Sequence, residues 1–211
     1  MASPFPKPVR LVVLDCDGVL FDSRGANVAF YNAVFERMGM PPMDAQLEHY
    51  CHFSSSRQLL ERAFSDDTER LEQAIGIARG IDYSPFYRHM RPVDGLRATL
   101  TSLGRGRELA MATNRTRTGQ RVVEVFELGE HIRFVSTVAP DVPPKPAPNM
   151  LLRCLAHFEV PADEAVYVGD ADSDRVAAEA AGMGFVGVGD EPQSALRVER
   201  FAELAEIIPP L

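Results

Sequence analysis

The sequence is poor in cysteine, in positive charge and in long apolar runs, and each shortage closes off a class of function. Cysteine occurs only as Cys16, Cys51 and Cys154, an odd and scattered set without a Cys-x-x-Cys pair. Neither a disulfide framework nor a zinc cluster is expected, and the thiols read as buried and free. Lysine and arginine number 22 against 30 aspartates and glutamates, a formal net charge of −8. Nucleic acids and acidic membranes both select for basic surfaces, so neither is an expected partner, and a small molecule is. No stretch approaches the ~20 apolar residues of a membrane helix. The opening "MASPFPKPVR" has no apolar segment of the secretory kind, and the expectation is a soluble, cytoplasmic protein.

What is present is a chain of 211 residues, 45% of them hydrophobic, enough for one large domain or a main domain with an insertion. "LVVL" (11 to 14), "LAMA" (109 to 112), "FVSTV" (134 to 138), "AVYV" (165 to 168) and "FVGV" (185 to 188) are short and apolar nearly throughout. Such runs suit parallel strands covered on both faces. Helical patterns lie between them, at Leu96, Leu100 and Leu103, at Val122, Val123 and Phe126, at Leu151, Leu152 and Leu155, and at Val176, Ala177, Ala180 and Ala181. The alternation predicts an α/β fold with an open parallel sheet.

One region breaks the alternation. Residues 25–88 offer no convincing strand but several amphipathic patterns, the first built on Val28, Tyr31, Val34, Phe35 and Met38, with Asn27 as its expected cap and Gly39, Pro41 and Pro42 as its stop. An all-helical subdomain at 25–88 is therefore expected to interrupt a core made of 1–24 and 89–211. It would sit at the carboxyl end of the first strand, where ligands bind in open α/β sheets.

That first strand ends in "DCDG". Alternation along an extended chain lets Asp15 and Asp17 point to one side, and Gly18 permits a sharp turn. Two carboxylates so placed repel, and a divalent cation, a proton, or both must compensate. "AVYV" likewise ends in Gly169 and Asp170, followed by Asp172 and Asp174, so two acidic strand ends would form an oxygen-rich pocket suited to Mg²⁺. Thr113 and Asn114 offer a hydroxyl and an amide at another strand end. Lys145, between Pro143, Pro144, Pro146 and Pro148, is a rigidly presented cation ahead of a helix expected to begin near Ala147. Together they turn a metal pocket into a phosphate pocket.

In order, the Asp15-Cys16-Asp17-Gly18-Val19-Leu20 segment, Thr113, Lys145 and "GDADSD" resemble the motifs of the haloacid dehalogenase-like (HAD) phosphatases. The helical insertion is similar to that family's cap, and "KPAPNMLLRCLAHFEVPADEAVYVGDADSDRVAAEAAGMGFVGV" resembles its phosphoglycolate phosphatase-like branch. The resemblance implies a Rossmann-like core and a Mg²⁺-dependent phosphatase acting on a small phosphorylated metabolite, with a sugar-phosphate mutase or a non-catalytic phosphate-binding protein as alternatives. It also implies roles. Asp15 is the nucleophile and Asp17 the acid and base, kept protonatable by neighbouring carboxylates. Mg²⁺ is held by Asp15, the Asp17 carbonyl and Asp170, with Asp174 in support. The phosphoryl group is held by Thr113, Lys145 and the backbone amides around Gly18 and Asn114. Asp17 sets the chain apart from the dehalogenases, which lack this acid.

Specificity would lie in the cap, where "YCHFSSSRQLLERAF" makes Ser54, Ser55, Ser56 and Arg57 candidates and lacks the glycine usual in phosphoglycolate phosphatases. Arg115 and Arg117 read as a solvated helix face, and His49 and His52 have no third ligand. The molecule is expected as a monomer or homodimer.

Overall fold

The computed structural model describes residues 4–51, 54, 56–190 and 193–211. Two compact units emerge, one formed by Met1–Asp22 with Pro92–Leu211, the other by Ser23–Arg91. The first is an α/β unit. Its sheet is built from β1 (Leu11–Leu14), β4 (Glu108–Thr113), β5 (Phe134–Thr137), β6 (Ala165–Gly169), β7 (Gly184–Val188) and β8 (Arg197–Val198), in the order β5-β4-β1-β6-β7-β8. Every pairing is parallel. A parallel sheet must be covered on both faces, which is why every residue of β1 and β6 is buried and neither strand alternates in polarity. Of the six strands, β8 has no counterpart in the sequence reading: two residues at a sheet edge are too short to carry a period.

The covering helices present narrow apolar stripes. In α7 (Asn149–Phe158) the buried positions are Met150, Leu151, Cys154 and Leu155; in α8 (Asp172–Ala181) they include Ala177, Ala178 and Ala181, whose small side chains let the helix lie close to the sheet. The helix expected near Ala147 starts at Asn149, because Ala147 precedes a proline, which disfavours the helical region, and Pro148 supplies the cap position.

The second unit is helical: α1 (Arg24–Arg37), α2 (Ala45–Cys51), α3 (Ser56–Ala63) and α4 (Thr68–Gly80). Its core gathers Tyr31, Val34, Phe35, Met43, Cys51, Leu59, Leu60, Phe64 and Ala74. The first helix begins before Asn27, with Ser23 at the cap position. Asn27 lies inside it, its side-chain oxygen accepting a hydrogen bond from the Tyr83 hydroxyl at 3.2 Å, and Gly25 is likewise helical. Two-residue strands β2 (Phe21–Asp22) and β3 (Arg91–Pro92) pair with each other at the two crossings of the chain. Among the described residues, no helix is long and apolar enough to cross a membrane.

Candidate functional site

Register places the acidic strand ends side by side. Leu14 is level with Met111 of β4 and with Val168 of β6, so the residues that follow, Asp15, Thr113 and Asp170, emerge from three neighbouring strands at one carboxyl edge. The Asp15 amide extends the ladder by donating to the Val168 carbonyl at 2.9 Å. Past Asp15 the chain turns sharply, and the Gly18 amide donates to the Phe21 carbonyl at 2.8 Å. Gly18 has φ +79, and a Cβ there would lie 1.7 Å from Asp170 Oδ2. Glycine is thus required twice, for the left-handed backbone and because a carboxylate occupies the side-chain volume.

Asp174 is buried and its oxygens are both engaged. Oδ2 accepts the Asp170 and Ala171 amides, each at 3.1 Å, at the start of α8, while Oδ1 faces Lys145 Nζ at 2.7 Å and the Tyr167 hydroxyl at 3.2 Å. It fastens the strand end that carries Asp170. Lys145 is buried as well, with Nζ 2.9 Å from Asp15 Oδ1 and 2.7 Å from the Tyr167 hydroxyl oxygen. The Asp15 contact is an ion pair, and Asp15 Oδ1 has no partner that meets hydrogen-bond geometry. Asn114 anchors the lysine loop from the other side. Its Oδ1 accepts the Lys145 amide at 2.8 Å and its Nδ2 donates to the Lys145 carbonyl at 3.5 Å. The side-chain amide of Asn114 is therefore spent on the loop. Thr113 is fully buried, and its hydroxyl accepts the Arg115 amide at 3.2 Å.

Arg115 departs from the expected solvated helix face. It is buried and forks onto Asp17, with Nε 2.8 Å from Oδ2 and Nη2 2.7 Å from Oδ1. The helix whose face it was to occupy, α6 (Thr118–Val125), starts only after Arg117, so Arg115 belongs to the strand-end turn. Sequence reasoning also passed over Tyr167, although a hydroxyl-bearing residue inside the otherwise apolar "AVYV" is a visible anomaly. Arg115 had no comparable signal, because what separates a surface arginine from a buried one is the direction of the turn.

Burial pushes the Asp15 carboxyl well above its usual range; Lys145 opposes that, and Asp174, Asp170 and Asp17 add to it. Asp170 is pushed up to about 7, chiefly by burial and then by Asp174, with Lys145 in opposition. For Lys145 burial favours the neutral amine, yet the negative charges of Asp15 and Asp174 outweigh it and hold the ammonium charged. Around this edge stand four carboxylates, Asp15, Asp17, Asp170 and Asp174, and two paired cations, Lys145 and Arg115. The formal surplus is two negative charges, what a divalent cation neutralises. Oxygens of Asp15, Asp170 and Asp174 lie within 4.8 Å of one another. An all-oxygen set with an orphaned buried Oδ1 fits a hard ion such as Mg²⁺. The Asp17 carboxylate is not part of that cluster.

In the helical unit, the Ser56 hydroxyl accepts from the Tyr31 hydroxyl at 2.6 Å, and Arg57 pairs along its own helix with Glu61 at 2.6 Å. Ser55 and His52 lie outside the described residues.

A family model described as haloacid dehalogenase-like hydrolase matches residues 12–188. Among curated proteins, the phosphoglycolate phosphatase of Pseudomonas putida is 28% identical over 190 residues, covering 85% of this chain and 69% of that protein. The phosphoglycolate phosphatase of Chromobacterium violaceum is 28% identical over 203 residues, covering 87% and 86%. Among solved structures, a HAD-superfamily hydrolase of subfamily IA, variant 1, from Geobacter sulfurreducens superposes with a TM-score of 0.79 at 33% identity, covering 98% of this chain and all of that one. A haloacid dehalogenase-like family hydrolase from Streptococcus pneumoniae has a TM-score of 0.83 at 17% identity, covering 94% and 97%, a likeness of fold.

Proposed function

The chain belongs to the haloacid dehalogenase-like hydrolase family, and from that premise we propose that it is a Mg²⁺-dependent phosphatase. Its substrate would be a small phosphorylated metabolite, and the reaction would run through an aspartyl-phosphate on Asp15. The observation that carries this reading is Asp15 itself, a buried carboxylate 2.9 Å from Lys145 Nζ and clustered with Asp170 and Asp174. The curated relatives named phosphoglycolate phosphatase make 2-phosphoglycolate the first compound to try.

Phosphate monoesters hydrolyse very slowly unaided, so a nucleophile, charge neutralisation and a proton for the leaving oxygen are all needed. Asp15 attacks phosphorus through a carboxylate oxygen, and the bond from phosphorus to the leaving oxygen breaks as that oxygen takes a proton from Asp17. Water then attacks the aspartyl-phosphate, gives its proton to Asp17 and releases inorganic phosphate, so each cycle restores both residues. Lys145, 2.9 Å from Asp15 Oδ1, opposes the protonation of Asp15 that burial favours. Thr113 and the amides near Gly18 and Asn114 line the edge where phosphoryl oxygens would rest. Asp15, the Asp17 carbonyl and Asp170 would hold the metal, with Asp174 bracing Asp170. Bound there, Mg²⁺ shields the nucleophile from the negative phosphoryl group. Ser56 and Arg57 are our candidates for the substrate's distal group.

The test is phosphate release from a panel of phosphorylated metabolites, with and without Mg²⁺, alongside Asp15→Asn. Strong Mg²⁺-dependent release from one compound, lowered at least about a thousandfold by the substitution, is expected, since removal of an essential nucleophile costs losses of this order. Turnover that survives Asp15→Asn would overturn the mechanism.

A further inference from the structure

We propose that Arg115 is a positioning residue for Asp17, and that it sets how efficiently the leaving oxygen is protonated; this rests on the phosphatase reading above. The pair is a two-pronged fork, 2.8 Å from Nε to Oδ2 and 2.7 Å from Nη2 to Oδ1. Two parallel contacts fix the plane of a carboxylate, which a single contact does not. The side chains differ in setting: that of Arg115 is 7% exposed, that of Asp17 33%. The arginine is the anchored partner and the aspartate the one open to reactants.

The anchoring extends to the backbone. The Arg115 amide donates to Thr113 Oγ1 at 3.2 Å, and its carbonyl accepts the Val138 amide at 3.2 Å. The turn is thereby tied to the ends of β4 and β5, two strands of the site's own edge. Gly119 allows the turn to lie this close, since a Cβ there would come 2.5 Å from Thr137 Cγ2 and 3.1 Å from Thr113 Cγ2. Asp17, by contrast, precedes a left-handed glycine and stands outside the Asp15, Asp170 and Asp174 cluster. The fork from Arg115 engages both of its carboxylate oxygens.

The proton balance agrees with this role. Asp17 gives one proton in the first step and regains one from water in the second, while Arg115 keeps all of its own. The two-pronged fork belongs to the ionised carboxylate, the base of the second step. When Asp17 is protonated, its carbonyl oxygen still accepts from the guanidinium and the hydroxyl oxygen presents O–H to the leaving group. A substrate whose leaving oxygen needs no proton should not depend on that aim.

The experiment uses two substrates and single-turnover mixing with Mg²⁺. For 2-phosphoglycolate, a poor leaving group, Arg115→Gln is expected to slow phosphoenzyme formation roughly 10–100-fold, part of the contribution typical of a positioned acid. The nitrophenolate burst from p-nitrophenyl phosphate should change less than about threefold, because nitrophenolate departs unprotonated. Arg115→Lys should fall between, and Arg115→Gln added to Asp17→Asn should cost nothing further. Thermal melts establish folding; should the glutamine variant not fold, Arg115→Lys carries the same two-substrate comparison. Equal losses on both substrates, additivity with Asp17→Asn, or a raised KM at unchanged kcat would overturn the proposal and leave the phosphatase reading standing. A wild-type protein inactive on both compounds and on the wider panel would sink the phosphatase reading, and the role of Arg115 with it.

Discussion

The α/β unit and the helical unit treat charge in opposite ways. Among the described residues, the α/β unit buries Asp15, Arg107, Arg115, Lys145 and Asp174, whereas no charged side chain of the helical unit is buried. The core of the helical unit is apolar, and the ion pair of Arg57 with Glu61 is exposed on one helix. Taking charges out of water costs several kcal/mol per ion, and a well-packed apolar substitute often stabilises as much as the buried pair did. Four of the five buried charges gather at one sheet edge, where the fold tolerates them at a cost that packing elsewhere must offset. Such concentration is what the proposed site would require, and the helical unit shows what the same chain builds without burying charge.

The largest break in this comparison comes from removing the cation that balances the edge. Lys145→Met would leave Asp15 and Asp174 buried without their shared partner. Breaking a buried pair from one side costs about 3–5 kcal/mol. Urea melts in EDTA should show a loss of that order, partly recovered by Mg²⁺. A loss below about 1 kcal/mol, the range of surface pairs, would mean that the edge is wetter than its burial indicates.

A second prediction concerns pH. In the folded protein without metal, the Asp170 carboxyl is pushed up to about 7, first by burial and then by Asp174. Because the folded state holds this proton more tightly than the unfolded chain does, the group's contribution to stability is complete below the ordinary carboxyl range. It is lost as pH rises toward about 7. Metal competes with the same proton. The stabilisation by Mg²⁺, read as the difference between melts with the ion and with EDTA, should therefore grow across this window and flatten above it. Asp170→Asn should reduce the growth to the part that Asp15 contributes; a difference independent of pH in the unaltered protein would contradict it.

Much of this edge is legible in the sequence, for a physical reason. A parallel strand buried on both faces reads as an unbroken apolar run, so "LVVL" and "AVYV" announce where they stop, and the residues at those stops, Asp15 and Asp170, are the ones the sheet register brings together. Gly18 was legible as a turn, but not as the void that Asp170 fills. Partnerships were harder to read. Asn114 grips the lysine loop, Tyr167 bonds to Lys145, and Arg115 forks onto Asp17 across 98 positions of chain, and no local pattern encodes contacts of that span. The Arg115 pair also revises an electrostatic expectation. The sequence leads one to expect neighbouring carboxylates around Asp17, whereas the structure sets a guanidinium 2.7 Å from its Oδ1. Asn27 and Ala147 were misread at helix starts, where caps shift by a residue or more.

The smallest effect on stability is expected from the helical unit. Arg57 lies in α3 with 69% of its side chain exposed and its partner Glu61 44% exposed. Exposed pairs of this spacing contribute about 0.3–0.5 kcal/mol, so Arg57→Ala should leave the melting curve nearly unmoved. If Arg57 meets the distal group of the substrate, as we propose, the same change should raise KM for 2-phosphoglycolate roughly tenfold, the loss of one charged hydrogen bond. KM for a phosphate ester without the carboxylate should stay put. An unchanged KM for both would return Arg57 to the solvated helix face and leave specificity to other residues. A destabilised fold would instead break the contrast between the units, because it would show a surface charge of the helical unit holding structure together.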